Sequence, residues 1–416
     1  MTRIYRLWLW LKDRQNRLWV TPLLTGLAAV ALAFGADAVG MLLDDNVPEI
    51  KAQTIDDLLT VIATSMLALA IFSLATLVAA LNSSSMTATP RSTELLMGDS
   101  AARASIGSFI AAFIFAIVAR TALGTGYYGT GGRFVLFVST LLVVAFVVLR
   151  LMLWIRSASR LGRLADTLER LTEVTGQALL NLARRPRMGA GALESAPVDH
   201  CTTLQANECG YLTDINMSGL QDLADRHDLR IHVQIRPGTF IDPSTLLARI
   251  EGKFSADSRD ELLDCFVLAA QRTYDQDPRF GLIVLGEIAL RALSPAVNDP
   301  GTAIQVMSAL TSLLVDYTAH AHQQLEPEFD RLTAPVLDDR DLVRDAFQPI
   351  GRDGAAIIEV AVRMQKLLAV VAQNSSGVIA AEALLQAREA RERALQVLSY
   401  APDRDQLDAL HRQLFP

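Results

Sequence analysis

Four apolar stretches near the start of the chain constrain its fold more than any other feature. They cover residues 18–43, 58–81, 104–123 and 134–155. A helix needs about 20 mostly apolar residues to cross a bilayer, and all its backbone polar groups must be hydrogen-bonded internally. The stretches therefore predict four transmembrane helices. We expect the first to be a span and not a cleaved signal peptide, because it is too long.

Charge is distributed unevenly around these stretches. Of the 416 residues, 51% are hydrophobic and 20% charged, but charges are scarce in residues 18–156 and frequent afterwards. This predicts an α-helical integral membrane domain (residues 1–156) followed by a cytoplasmic α+β domain. The net charge of −7 gives no indication of a nucleic-acid partner.

Basic residues set the expected orientation. Residues 1–17 carry five Arg or Lys residues, whereas the loop between the first two stretches is acidic. By the positive-inside rule, both termini are cytoplasmic. The three cysteines form no CxxC pair, which suits a reducing compartment. We expect the lipid bilayer as a partner and no metal or cofactor site.

The second half divides into three further regions. Residues 157–187 form an amphipathic connecting helix. Residues 198–252 form a small β-rich module with strands at 210–216, 229–235 and 246–250 and a short helix at 220–226. Residues 258–416 form a helical domain, with Ser258 capping a first helix at 258–273. Further helices are predicted near 279–293, 302–321, 339–347, 353–373, 378–398 and 403–414.

The connecting helix carries an apolar seam with the spacing of a heptad repeat. Such a seam packs against another helix, either in the same chain or in a neighbouring copy, where it would form a stalk. Its members are Leu161, Leu164, Leu168, Leu171, Thr175, Ala178 and Leu182.

The second apolar stretch carries a stripe of small and hydroxyl side chains. Thr76 and Ser83 follow Ser65 by 11 and 18 residues, so at about 100° per residue they share one helix face. The stripe either packs closely against another helix or forms the wall of a water-filled path in an oligomer. Its predicted pore-lining members are Ser65, Ala68, Phe72, Thr76, Ala79 and Ser83.

Two charges lie near the predicted outer boundary, Asp37 on the first stretch and Arg120 on the third. Charges at such positions pair with each other or extend to the interface. We expect a salt bridge between them. The alternative is a ring of Arg120 side chains that attracts anions at an outer mouth.

Two polar segments flank one predicted helix of the second half. They are candidates for a cytoplasmic ligand site, but a helix over 279–293 separates them by roughly 20 Å. Asp299 is suited to cap the helix that follows, and the alternative is an anion pocket at that helix start. The candidate residues are Arg272, Asp275, Asp277, Ser294, Asn298, Asp299 and Thr302.

The run DPRFGLIVLGEIALRALSPAVNDPGTA at residues 277–303 resembles the hallmark of a family of bacterial predicted membrane proteins grouped under a domain of unknown function. Thr89-Pro90-Arg91 and RPGTF at residues 236–240 are similar to further family segments. The resemblance covers nearly the whole chain. It implies four spans and a cytoplasmic C-terminal domain, but no activity.

No enzyme motif is present, neither a GxSxG nor a Walker A, HExxH or Rossmann pattern. Four spans are too few to enclose a pore alone, so the sequence predicts a homo-oligomeric channel for small ions. Its second span would line the pore, and its cytoplasmic domain would assemble or gate it. The alternative is a membrane-anchored sensor or scaffold. A third hypothesis, an enzyme using Asp275, Asp277 and Asp299 with a divalent ion, requires these carboxylates within a few ångströms.

Overall fold

A computed structural model describes residues 17–41, 47–87, 89–91, 100–158, 163–193, 201–321 and 326–416. The chain forms two compact units, a first unit over Tyr5–Thr167 and a second unit that covers Leu168–Pro416.

The first unit consists of long apolar helices. They are α1 (Arg17–Gly40), α2 (Ala52–Thr87), α3 (Ser100–Gly124) and α4 (Thr130–Ala158). Three of them contain segments long and apolar enough to cross a membrane, at Ala52–Ala80, Ala104–Gly124 and Thr130–Ala158. In α1 the described apolar helix is shorter, at Thr25–Gly40. Three of the four predicted spans thus have a matching helix of sufficient length.

Helix α3 is the centre of the first unit and packs against α1, α2 and α4. The core contains large side chains that are almost fully buried, including Phe109, Phe115 and Tyr128. Helix α2 turns one face towards this core, and its buried residues recur every three or four positions, as expected for an amphipathic packing face. They are Ile55, Leu59, Ile62, Ala63, Met66, Ala70, Ser73 and Leu77.

The connecting helix α5 (Leu164–Arg184) leads into the second unit, which contains its residues from Leu168 onward. Leu168, Leu171, Thr175, Ala178 and Leu182 are all buried within the chain. A Cβ at Gly176 would lie 3.2 Å from Leu313, so this helix packs on the chain's own helical region. The seam therefore has an intramolecular partner, and Leu161 lies outside the described residues.

Two β-sheets follow. A five-stranded sheet has the order β1-β8-β4-β6-β2, and a three-stranded sheet has the order β5-β3-β7. Strand β8 is parallel to β1 and β4, and the other pairs are antiparallel. The strands are β1 (Ala190–Ala192), β2 (Cys201–Gln205), β3 (Gly210–Ile215), β4 (Arg230–Val233), β5 (Phe240–Ile241), β6 (Leu246–Glu251), β7 (Phe266–Ala269) and β8 (Phe329–Ala334).

An apolar core unites the two sheets with helix α6 (Met217–His227). In β4, Ile231 and Val233 are buried while Arg230 and His232 point away, which is the period-two pattern of a half-buried strand. The sheets also recruit β1, β7 and β8 from outside residues 198–252. Strand pairing between distant segments leaves no signal in a local sequence window.

The predicted helix at 258–273 is wrong in its second half. Helix α7 covers Ala256–Leu263, and the next residues form β7, which pairs with β3. A short apolar run such as Phe266–Ala269 is compatible with a strand or a helix, and pairing with a distant segment determines which of the two forms. The cap is also one turn earlier than predicted, because Ser255 Oγ accepts from the Ser258 amide at 3.2 Å.

Six helices complete the second unit. Most begin and end within a few residues of their predicted bounds, but α10 continues through Pro349 to Asp353, and α11 starts five residues later than predicted. They are α8 (Pro278–Leu293), α9 (Pro300–His320), α10 (Asp339–Asp353), α11 (Ile358–Asn374), α12 (Gly377–Val397) and α13 (Ala401–Leu414).

Candidate functional site

The stripe on α2 lies outside the core of the first unit. Ser65, Ala68, Ala79 and Ser83 are exposed, and Thr76 is half-buried. Phe72 is 59% exposed, although its ring also meets Trp154 of α4 at 5.7 Å between centroids. The described part of the chain therefore does not satisfy the close-packing interpretation. The exposed side chains of the stripe are available to lipid or to another surface.

The hydroxyl groups on α2 differ in how they are bonded. Thr60, Thr64 and Thr76 each donate to a backbone carbonyl of their own helix, four residues back. Ser65 makes no hydrogen bond in the described part of the chain, although it is exposed near the middle of the span. In hydrocarbon an unbonded hydroxyl is costly, so Ser65 would bond to water, to a second molecule or, after rotation of its side chain, to a carbonyl of its own helix.

The expected salt bridge between Asp37 and Arg120 is wrong. Arg120 Nε lies 2.8 Å from Asp56 Oδ1 at the start of α2. Asp37 is buried and accepts from the Gly129 amide at 3.3 Å, directly before α4. The free amides and the dipole at a helix N-terminus stabilise a carboxylate. The start of α4 therefore stabilises Asp37 in place of the expected arginine.

Glycines make this approach of α1 and α4 possible. A Cβ at Gly132 would lie 2.6 Å from Asp37 Oδ1, and a Cβ at Gly131 would overlap the carbonyl of Gly40. These two glycines in the first turn of α4 thus permit a backbone contact that no side chain would allow. Both charges are satisfied locally, Arg120 by Asp56 and Asp37 by the start of α4.

In the second unit, the first polar segment is a structural junction. Arg272 Nε donates to Asp277 Oδ2 at 2.7 Å, and the guanidinium lies 5.1 Å from the centre of the Phe280 ring. Asp277 is buried and caps α8 through the Phe280 amide. Asp275 is exposed. Gln276 bonds to Asp214 of β3, so the segment ties the start of α8 to the three-stranded sheet.

The second segment forms the corner between α8 and α9. Asp299 accepts from the Thr302 amide at 3.1 Å and from its hydroxyl at 2.6 Å, which confirms Asp299 as the helix cap and lowers its pKa. Ser294 donates to the Arg291 carbonyl. Asn298 has a φ of 49°, the left-handed conformation that asparagine tolerates. The Asp299 carboxylate occupies the place where an anion would bind.

Helix α8 keeps the two segments apart, since 16 residues correspond to about 24 Å. The structure therefore does not bring Asp275 and Asp277 close to Asp299. Within the described residues, no group of three His, Cys, Asp or Glu side chains is placed to hold a metal ion.

A buried arginine was not among the predicted site residues. Arg236 Nη1 donates to the carbonyls of Pro186 at 2.8 Å and Pro335 at 2.7 Å, and burial lowers its pKa. Two positions further, Gly238 has a φ of 95°, and a Cβ there would overlap the Asp277 carboxylate. The Pro237-Gly238 turn was the available signal, but the burial of Arg236 depends on distant segments.

Comparison of the sequence with known proteins identifies relatives and a family. Two uncharacterized proteins, from Mycobacterium bovis and Mycobacterium tuberculosis, are each 34% identical to this chain over 125 residues, which is 29% of this chain. The match spans 24% of the length of these relatives. No solved structure matches. The family model "Predicted membrane protein (DUF2254)" matches residues 15–370, and the chain therefore belongs to this family of predicted membrane proteins.

Proposed function

We propose that this membrane protein is a homo-oligomeric channel in which α2 lines a path between copies. In this proposal α1 also crosses the membrane, which gives four spans in total. Both termini are cytoplasmic in a bacterial inner membrane, and the second unit assembles or gates the path. The supporting observation is the exposed, unbonded hydroxyl of Ser65 near the middle of a span.

The rest of the exposed surface of α2 supports the same orientation. At about 100° per residue, the stripe from Ser65 to Ser83 occupies one arc of the helix. A second exposed arc carries large aliphatic side chains that suit lipid: Leu67, Ile71, Leu74 and Val78. A helix that met only lipid would not need two different exposed arcs.

The path cannot run through a single chain in this proposal. Aromatic side chains fill the middle of the first unit, with Phe109 and Phe115 at 0% and 1% exposure. A water-filled path would therefore form where several α2 stripes meet.

Cysteine accessibility tests the proposal directly. Cys201 and Cys209 would be changed to serine, whereas Cys265 can stay because burial raises its pKa to about 12 and suppresses the reactive thiolate. Ser65→Cys and Thr76→Cys should react with a charged thiol reagent in liposomes and alter conductance. Leu67→Cys and Ile71→Cys are the matched controls on the lipid arc and should not react.

Two results would contradict the channel. One is equal protection of all four cysteines, and the other is an absence of conductance at every tested pH, voltage and membrane tension. A membrane-anchored sensor is the second candidate, favoured by Arg249 of the five-stranded sheet, which has no partner among the residues that the structure describes. Particle symmetry separates the two, because a channel requires a ring around α2, whereas a sensor is compatible with a closed dimer.

A further inference from the structure

The five-stranded sheet carries a row of polar residues on the face opposite its apolar core. Strand register places them directly beside one another across the sheet, from β2 to β1. Directly opposite residues on one sheet face have Cβ atoms about 5 Å apart, so neighbouring side chains can interact. The row consists of Thr203, Arg249, His232, Thr333 and Gly191.

His232 is fully engaged in this row. Its Nδ1 lies 2.8 Å from Thr333 Oγ1 and its Nε2 lies 3.2 Å from Glu251 Oε1. The carboxylate must accept, so a neutral His232 carries its proton on Nε2, and Thr333 donates to Nδ1. Glu251 therefore leans towards β4.

The surroundings of Arg249 differ from those of His232. It shares a strand and a face with Glu251, but that carboxylate is bonded to His232. Arg249 makes no hydrogen bond or ion pair among the described residues, and its Nε is buried without an acceptor. A buried donor without an acceptor is costly and calls for a specific explanation.

We propose that Arg249 binds an oxyanion, a phosphate or carboxylate group, above β6 and β2. A guanidinium matches such groups with two parallel N–H donors. Thr203 is exposed directly opposite Arg249 on β2 and offers a hydroxyl donor. Glu251 repels an anion on the β4 side, which leaves the β2 side for the ligand.

Isothermal titration of the full-length protein in neutral nanodiscs with inorganic phosphate tests this proposal, with sodium chloride holding ionic strength constant. We expect saturable binding that weakens at least tenfold in Arg249→Gln. Arg363→Gln, an exposed arginine on α11, should bind as the wild type does. Thr203→Val provides a second variant at an exposed position and should weaken binding several-fold, even if Arg249→Gln fails to fold.

Further ligands identify the source of the oxyanion. Acetate tests a carboxylate, and vesicles of phosphatidylglycerol against phosphatidylcholine test a lipid headgroup. Arg249-dependent binding of any one of them supports the site and names its ligand class. Binding of none of them, or binding that is equal in the wild type and Arg249→Gln, overturns it.

Discussion

At the scale of single residues, two glycines in the first unit have opposite surroundings. Gly132 faces the Asp37 side chain so closely that an added Cβ would lie 2.6 Å from Oδ1. A Cβ added at Gly35 would meet no neighbouring atom within 4 Å. Gly132→Ala should lower the stability of the first unit by about 1–3 kcal/mol, because overpacking displaces the carboxylate from the start of α4. Gly35→Ala should leave it unchanged or raise it by up to about 1 kcal/mol. Thermal unfolding in detergent measures both, and equal effects would contradict the close contact.

A serine in the same unit should be dispensable for stability. Ser73 is fully buried on α2, and its Oγ has no hydrogen-bond partner among the described residues. Ser73→Ala removes a desolvated hydroxyl and should keep or raise the unfolding temperature. Thr140→Val is the matched control, because Thr140 Oγ1 donates to the Leu136 carbonyl at 2.7 Å and its loss should destabilise. A marked destabilisation by Ser73→Ala would show that this hydroxyl has a partner.

At the scale of elements, sequence patterns predicted the helices whose ends are fixed by neighbouring residues, but not the strands whose pairing partners are distant in sequence. Periodicity and caps were sufficient for α8 and α9, since Asp277 and Asp299 each bond to an amide of the turn they start. They were insufficient for β7 and β8, whose pairing partners lie 50 or more residues away. For the same reason the sequence predicted the α2 stripe but not that Glu251 would bond to His232 and leave Arg249 without a partner in the described part of the chain.

Helix α13 should dock in a pH-dependent way. His411 bonds through Nδ1 to the buried Gln365 of α11 at 2.7 Å, and its ring contacts that of Phe415, with the centroids 4.9 Å apart and the planes tilted by 44°. Burial and then the charge of Arg391 lower the pKa of His411, whereas Asp408 acts in the opposite direction. The undocked helix therefore binds a proton more readily, so docking is strongest above about pH 6.5 and weakens as pH falls through this value.

Hydrogen exchange of α13 peptides at about pH 7.5 and pH 5.5, corrected for intrinsic rates, measures this effect. Protection should fall at the lower pH in the wild type. His411→Gln keeps a side-chain donor near Gln365 but cannot titrate, so its protection should not depend on pH. The same loss of protection in both proteins would contradict a role for His411.

At the scale of the whole molecule, the proposed path is a property of the assembly. The first unit has a filled centre, and the stripe that would line the path is on its outer surface. Each copy would therefore contribute one wall, and a blocked wall in one copy would narrow the path for all of them. This distinguishes a shared path from one that each chain encloses alone.

Mixing experiments can detect this shared path. Ser65→Trp places a large ring on the stripe, whereas Leu67→Trp places the same ring on the lipid-facing arc as a control. When wild type and Ser65→Trp are co-expressed at increasing ratios, conductance per protein should fall more steeply than the wild-type fraction, because a single altered copy narrows a ring. Leu67→Trp should leave conductance nearly constant at every ratio. A strictly linear decline with Ser65→Trp would mean that each chain acts alone, and the stripe would then need a different explanation from a path between copies.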